Sequence, residues 1–486
     1  MSALEELPED LVPTMCEFTL RPSGAVNAAE MLANVPPRFS ECRVNLKSMS
    51  FANYSQSKQS QDWNAPVATV PVAATVRLPG SKSLTNRELV LSALASEETL
   101  LTAPLQSRDS ALMIAALRSL GTRIDELPNG DIRVIPAQLA GPVTIDCGLA
   151  GTVMRFVPPL ACLATGSIVF DGDEGARRRP MNVTIESLRA LGVTVNDAGT
   201  GALPFTIEAA GRVTGGSLSI DASSSSQFVS GLLLSAARFE QGLTLRHEGE
   251  HLPSLPHIEM TLDTLAKRGV TVSNPEPTVW RVEPGPICGG TVAIEPDLSN
   301  AGPFLAAAMV AGGSVTIPGW PDQTTQVGDE FDGILQRMGA KVSRSAAGLT
   351  VGGTGAIHGL DIDLSIGGEL TPVIAALAAL ADSPTRISGV AHLRGHETDR
   401  LRALSTEINR IGGVCRETAD GLEIDPSNHL TGAYWHSYED HRMATAGAII
   451  GLRVPGIVVE NIGTTSKTMP NFVALWEQML KPVGSA

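Results

Sequence analysis

The sequence predicts an α/β protein of two similar domains, with apolar helices inside, sheets outside and a ligand cleft between the halves. Two observations carry that expectation. A supersecondary unit recurs six times, and each unit begins with a short polar cluster that runs into a helix of small apolar residues. The segments are KSLTNRELVLSALA from Lys82, GTVMRFVPPLACLA from Gly151, SSQFVSGLLLSAA from Ser225, DLSNAGPFLAAAMV from Asp297, ELTPVIAALAALA from Glu369 and DHRMATAGAIIGL from Asp440. Their starts lie 69, 74, 72, 72 and 71 residues apart, the mark of one unit reused. Helices apolar on nearly every side are buried. Their N-terminal ends offer unpaired N–H groups and partial positive charge. Two sets of three such ends aimed at one cleft make an anion trap.

In chain order, residues 1–64 precede the first unit. They carry Ser, Gln, Asn and Pro without periodicity, as in SFANYSQSKQSQDWN at 50–64, and are expected to be disordered. Glu5, Glu6, Glu9, Asp10, Glu17 and Glu30 stand against a lone Arg21 in the first thirty residues. With no apolar signal core, that argues against a targeting peptide. From about Val67, β-branched runs at 167–170, 217–220, 291–294, 314–317 and 456–460 read as strands. Amphipathic helices are expected at 110–121, 183–192, 260–269, 331–340 and 401–413, each closing on a glycine. Each unit therefore reads as βαβαββ, and three units make a domain. The expected division is 65–81 with 295–486 as one domain and 82–294 as the other.

Composition narrows the ligand. A net charge of −15 and 4% aromatic residues exclude a nucleic-acid stacking surface and general attraction to acidic membranes. An anion must be held by local Lys and Arg. The cysteines, Cys16, Cys42, Cys147, Cys162, Cys288 and Cys415, show no CxxC or metal-ligand spacing, as expected of reduced thiols in a cytoplasmic protein. No segment approaches the length of a membrane span. No metal and no organic cofactor is expected.

Basic residues recur at or near the clusters: Lys82, Arg87, Arg155, Arg179, Arg400, Arg442 and Lys467. Arg forks suit carboxylate and phosphate oxygens, and Lys supplies a compact charge. PGSKSLTNR (79–87), LAGTVMR (149–155), SSSQF (224–228), RGHETDR (394–400), YEDHRMA (438–444) and TTSKTMP (464–470) together resemble the motif set of the EPSP synthase (3-phosphoshikimate 1-carboxyvinyltransferase) family, in register from about residue 70 to 483. The resemblance implies a two-domain inside-out α/β barrel. It also implies transfer of the enolpyruvyl group of phosphoenolpyruvate to the 5-hydroxyl of shikimate 3-phosphate, with release of phosphate, in chorismate and aromatic amino acid biosynthesis. A monomer is expected.

The resemblance also assigns roles. Lys82, Ser83, Arg87, Ser225, Ser226, Gln227, Ser254, Glu369 and His396 would hold shikimate 3-phosphate. Lys82, Gly151, Arg155, Arg179, Gln227, Arg400, Arg442 and Lys467 would surround phosphoenolpyruvate. Glu369 would accept the hydroxyl proton, with Glu397 and Lys82 serving protonation and the developing charge. A carboxylate amid cations is a reluctant acid, which singles out Glu397. Gly151 lets the backbone approach the ligand and implies room for the inhibitor glyphosate. His441 is expected to help position substrate.

Four positions depart from the family's commoner residues: Glu369 for Asp, Leu149 for Asn, His396 for Lys and His257 for Tyr. Leu149 removes a polar contact, and His396 is expected to make the local charge depend on pH. The rival enzyme, which transfers enolpyruvate to UDP-N-acetylglucosamine, usually carries a Cys in the loop that here reads DGDEGARRRP (171–180) and has none. The other alternative, a non-catalytic anion-binding relative, would have lost Glu369 or Glu397, and both are present.

Overall fold

The computed structural model describes residues 62–481. The stretch expected to be disordered lies outside the described residues except at its end. There the expectation fails: Trp63–Asn64 pairs antiparallel with Val458–Val459, and the Ala65 N–H donates to the Ile457 carbonyl at 3.0 Å. Trp63 and buried Ala65 pack on the core, so a boundary drawn at 65 cuts through an ordered element.

The polar clusters lead into six inner helices: Lys82–Leu94, Gly151–Ala161, Gln227–Ala236, Leu298–Ala311, Thr371–Ala379 and His441–Gly451. Every residue of the second is buried, as is the fourth from Leu298 to Val310. Outer helices follow at Arg108–Ser119, Asn182–Ala190, Leu255–Lys267, Phe331–Arg337 and Arg400–Arg410. Their closing glycines, Gly121, Gly192, Gly269, Gly339 and Gly412, take φ from 78° to 111°, a conformation that Gly adopts without steric cost.

The sheets share one plan. In the second unit Val143–Asp146 lies parallel to Thr165–Asp171, which pairs antiparallel with Phe205–Ala210, and Thr194–Asn196 occupies the edge. The third and fifth units repeat this order. The first and fourth units exchange their leading strands. Val72–Thr75 precedes the first inner helix in sequence but pairs with Gly313–Ile317 of the fourth unit. Gly290–Ala293 precedes the fourth inner helix but pairs with Thr99–Thr102 of the first. The chain thus crosses between the halves beside the Gly80–Pro296 bridge. Two hydrophobic cores result, one drawn from residues 65–76 and 298–479 and one from 89–287.

The sixth unit departs from βαβαββ. Its sheet has three strands: Tyr434–Trp435, Val458–Val459 and the incoming Trp63–Asn64. The chain after Val459 instead forms the 3₁₀ turn Ile462–Lys467 and ends in helix Phe472–Met479. Turning there carries Lys467 to the inner helices rather than outward into a sheet.

Small residues set how closely the inner helices approach. Pro158 and Pro159 lie inside the second helix, so the carbonyls of Met154 and Arg155 lose their helical N–H partners. Gly231 of the third helix fills that gap, and a Cβ there would fall 2.2 Å from the Arg155 carbonyl oxygen. Gly231→Ala gains about 1 kcal/mol of helix propensity but meets backbone that cannot yield, and overpacking costs about 1–3 kcal/mol or more. The variant is expected to melt below the parent in a thermal scan. A melting temperature equal to or above the parent's contradicts this account of the packing.

Candidate active site

All six helix starts face one cavity. Its walls include Lys82 and Ser83, Gly151, Ser225 to Gln227, Asp297 and Ser299, Glu369, and His441 with Arg442, one set from each unit. Ser81, Asp297 and Asp440 cap three of these helices through side-chain oxygens. The helix beginning at Gly151 has no side-chain cap, so its first N–H groups stay available to a ligand. Every residue named from the sequence as a substrate or catalytic group lines this cavity: Ser254, Arg87, Arg155, Arg179, His396, Glu397, Arg400 and Lys467 complete the wall.

The cations are held by buried acids. Arg400 donates from Nε and Nη2 to the two Asp440 oxygens at 2.7 and 3.2 Å, and from Nη2 to Glu397 Oε2 at 2.9 Å. Lys467 Nζ donates to Glu397 Oε1. Asp440, fully buried, both caps the sixth inner helix and orients Arg400. Burial pushes the Glu397 carboxyl up, but Lys467 and then Arg400 outweigh it and hold the group well below the usual carboxylate range. Glu397 is therefore ionised before ligand binds. Lys82 lies 3.9 Å from Asp109. Burial lowers its pKa, and the nearby charges of Lys467 and Arg442 add to that, against Asp109 and Glu397.

Several polar atoms here have no hydrogen-bond partner among the described residues: Nε of Arg155 and Arg179, Oε1 of Gln227 and both ring nitrogens of His441, whose Nδ1 lies 3.6 Å from Asp440 Oδ1. Burial and repulsion from Arg179 lower the Arg155 pKa. Such groups are costly unless a ligand meets them. Arg87 is different. Its Nε donates to Thr261 Oγ1 at 2.8 Å, Nη1 to the Ser83 carbonyl at 3.0 Å, and Nη2 to the His257 carbonyl at 2.7 Å and Ser230 Oγ at 3.4 Å. Only one of its five N–H bonds is left without a protein acceptor among the described residues.

The departures from the family pattern acquire neighbours. Glu369 Oε2 meets His257 Nε2 at 3.0 Å, while Oε1 accepts from Ser299 Oγ at 3.0 Å. Burial would raise the Glu369 pKa, but His257, Arg442 and Ser299 outweigh it and hold the carboxyl below its ordinary range. Leu149 turns its side chain to the core margin and accepts from Arg179 Nη1 through its carbonyl at 3.5 Å. For His396 the expectation of a pH-dependent charge is corrected. Burial, then Arg400, whose Nη1 lies 3.2 Å from Nδ1, holds its pKa well below 6.5, so the ring stays neutral near neutral pH.

Sequence reasoning missed Asp109, Ser299, Gln326 and His392, which also line the cavity. Gln326 spans the crossing, accepting from the Leu298 N–H at 3.2 Å and donating to Glu295 Oε2 at 2.9 Å. Ser299 sat inside a cluster already singled out; the other three lie outside the clusters and carry no local signal. No group of three or more His, Cys, Asp or Glu able to hold a metal occurs among the described residues, and none of their helices is long and apolar enough to cross a membrane.

Residues 67–476 match the family model described as EPSP synthase (3-phosphoshikimate 1-carboxyvinyltransferase). The 3-phosphoshikimate 1-carboxyvinyltransferase of Kocuria rhizophila is 55% identical over 437 residues, covering 88% of this chain and 98% of that protein. Two solved structures of EPSP synthase from Acinetobacter baumannii share the fold, with TM-scores of 0.72 and 0.71 at 24% and 23% identity. Each match covers 86% of this chain and 98% of the other. On the family match and the near-complete alignment with the Kocuria protein, this chain belongs to the EPSP synthase family.

Proposed function

We propose that this protein transfers the enolpyruvyl group of phosphoenolpyruvate to the 5-hydroxyl of shikimate 3-phosphate, releasing phosphate. The observation that carries the reading is the convergence of six helix N-termini, the cations Lys82, Arg155, Arg179, Arg400, Arg442 and Lys467, and the carboxylates Glu369 and Glu397 on one cavity. Two polyanionic substrates match that wall in charge. Residues 62–81 with 295–486, and 82–294, would form the two domains around it, in a monomeric cytoplasmic enzyme.

Glu369, kept ionised, accepts the proton of the 5-hydroxyl as its oxygen bonds to C2 of phosphoenolpyruvate. The methylene carbon gains a proton, giving a tetrahedral adduct. Loss of the C–O bond to phosphate and of one methyl proton then yields the enolpyruvyl ether. Glu397 becomes competent as an acid when anionic substrate oxygens draw Lys467 and Arg400 away from it, since the two charges that depress its pKa are then shared. Lys82, with its own lowered pKa, is suited to exchange a proton in the same step.

The first test is phosphate release with phosphoenolpyruvate and either shikimate 3-phosphate or UDP-N-acetylglucosamine. Release with shikimate 3-phosphate alone is expected. Release only with the nucleotide sugar, or binding without turnover, overturns the reading in favour of the rival enzyme or the non-catalytic relative. Glu369→Gln should lower kcat on the order of 100- to 10,000-fold with little change in shikimate 3-phosphate affinity. A Cβ at Gly151 would lie 3.1 Å from Gln227 Oε1 and 3.2 Å from both Arg179 Nη atoms. Gly151→Ala is therefore expected to raise KM for phosphoenolpyruvate roughly tenfold and to weaken glyphosate inhibition; unchanged inhibition contradicts it. Because Lys82 loses its proton at lower pH than the ordinary 10.5, kcat/KM for phosphoenolpyruvate should decline on the alkaline side before that pH.

A further inference from the structure

Glu369 is gripped from both halves of the molecule. Ser299, which donates to Oε1, stands in the first turn of the fourth inner helix, in the same hydrophobic half as Glu369. His257, whose Nε2 meets Oε2 at 3.0 Å, belongs to the outer helix Leu255–Lys267 of the opposite half. His257 is itself fixed at its main chain. Its carbonyl accepts from Arg87 Nη2 at 2.7 Å, Thr261 Oγ1 at 3.0 Å and Ser230 Oγ at 3.3 Å. The preceding turn is equally constrained: Ser254 takes the left-handed conformation, φ 55° and ψ 49°, uncommon for a residue with a side chain. The result is a rigid arm, anchored on Arg87, that reaches over the cleft to one carboxylate oxygen.

We propose that His257 is a positioning residue for Glu369, donating its Nε2–H to Oε2 so that the carboxylate is aligned only when the two halves meet. This rests on the enolpyruvyl-transfer reading above and adds a residue to it. Glu has several rotatable side-chain bonds and loses that freedom only if both ends are held. One bond to each oxygen fixes the carboxylate plane and leaves a lone pair on each oxygen for a substrate hydroxyl. Ser299 alone leaves the group free to rotate about its contact. With His257 in place, the base is preorganised, and its alignment reports contact between the halves.

The same contact sets the charge. The groups that face Glu369 are His257 from the opposite half, Ser299 and Arg442 from its own, with Arg442 Nη1 donating to the Glu369 carbonyl at 3.1 Å, and, further away, Arg87, Arg400 and His392. Burial opposes ionisation, and His257 is foremost among the groups that favour it. Without His257 the Glu369 pKa rises, so the base is protonated, and activity lost, at a higher pH on the acid side.

The experiment compares the parent enzyme with His257→Phe and His257→Gln, measuring kcat, each KM and the acid limb of kcat from about pH 3 to about pH 9, with shikimate 3-phosphate affinity measured separately. His257→Phe is expected to lose on the order of 10- to 100-fold in kcat with KM for phosphoenolpyruvate little changed, and its acid limb should move to higher pH. His257→Gln keeps an N–H donor near the Nε2 position and should recover much of kcat, but only part of the acid-limb position, because it restores the hydrogen bond and not the charge interaction. A His257→Phe enzyme with the parent's kcat and acid limb overturns the proposal. So does one whose whole loss is in stability. Where His257→Phe does not fold, His257→Ala with and without added imidazole decides: a rise in kcat supports the proposal, and no rise overturns it. A parent enzyme that releases no phosphate from the two substrates defeats the underlying reading, whereas an active parent with an unaffected His257→Phe variant defeats only this inference.

Discussion

The cleft concentrates positive charge in a protein whose net charge is −15, and the rest of the structure depends on balancing it. Helix N-termini and buried guanidinium groups raise one another's cost when no anion is present. The site offsets part of this with its own carboxylates. Asp440 is committed, its two oxygens spent on Arg400 and its position fixed by the helix it caps. Glu397 is not committed in the same way: it shares Arg400 and Lys467, both of which line the wall where an anion would sit. A substrate phosphate or carboxylate can take over those cations and leave Glu397 in a less positive field. The same charge arrangement thus explains why the site binds anions and how an acid of low pKa becomes able to hold a proton.

Such a balance needs the helix ends held firmly in place, and the packing supplies that. Inner helices built from Ala, Gly, Ser and Pro approach until backbone meets backbone, as Gly231 does against the Arg155 carbonyl. Arg155 also lies over the Phe228 ring, 5.6 Å from its centroid, so the third helix supports a cation carried by the second. Burying helices and placing sheets outside is therefore tied to function: every inner helix turns its N-terminal end to the cavity, and the starts of three outer helices bring Asp109, Ser254 and Arg400 there as well.

Much of this was legible in the sequence because it is periodic. The recurrence near 72 residues, the apolar character of the inner helices and the glycines after the outer ones are local patterns, and the helix starts they predicted all line one cavity. What could not be read was non-local. Val72–Thr75 looks like the leading strand of the first unit, and only pairing energy with Gly313–Ile317 places it in the fourth. Trp63–Asn64 is too short to announce a strand and becomes one because the Val458–Val459 edge is open to it. His257 and Glu369 are 112 residues apart, and each taken singly reads as a departure from the family pattern. Their contact shows that the longer acid has a partner waiting for it. His396 failed for another reason: its residue type suggested titration near neutrality, but desolvation and Arg400 decide otherwise.

The exchange of leading strands has a further consequence for the site. Both crossings between the halves run next to it: the Ser81 N–H donates to the Glu295 carbonyl at 2.7 Å, the Asp297 N–H to the Pro79 carbonyl at 3.0 Å, and the Lys82 N–H to Asp297 Oδ2 at 3.1 Å. Gly80 between them admits no side chain, since a Cβ would fall 2.2 Å from the Ala103 carbonyl oxygen. The first and fourth inner helices therefore begin within a residue or two of the crossings. Any rotation of one half against the other must pivot where Lys82 and Asp297 stand, while moving His257 on the far wall towards or away from Glu369. Residues beside the crossings are tied by these short-range bonds, whereas His257 and Glu369 meet through side chains across the cleft. Under the positioning role proposed for His257, an anion met by Lys82 and the helix N-termini would be held before the base is aligned, and binding would precede chemistry.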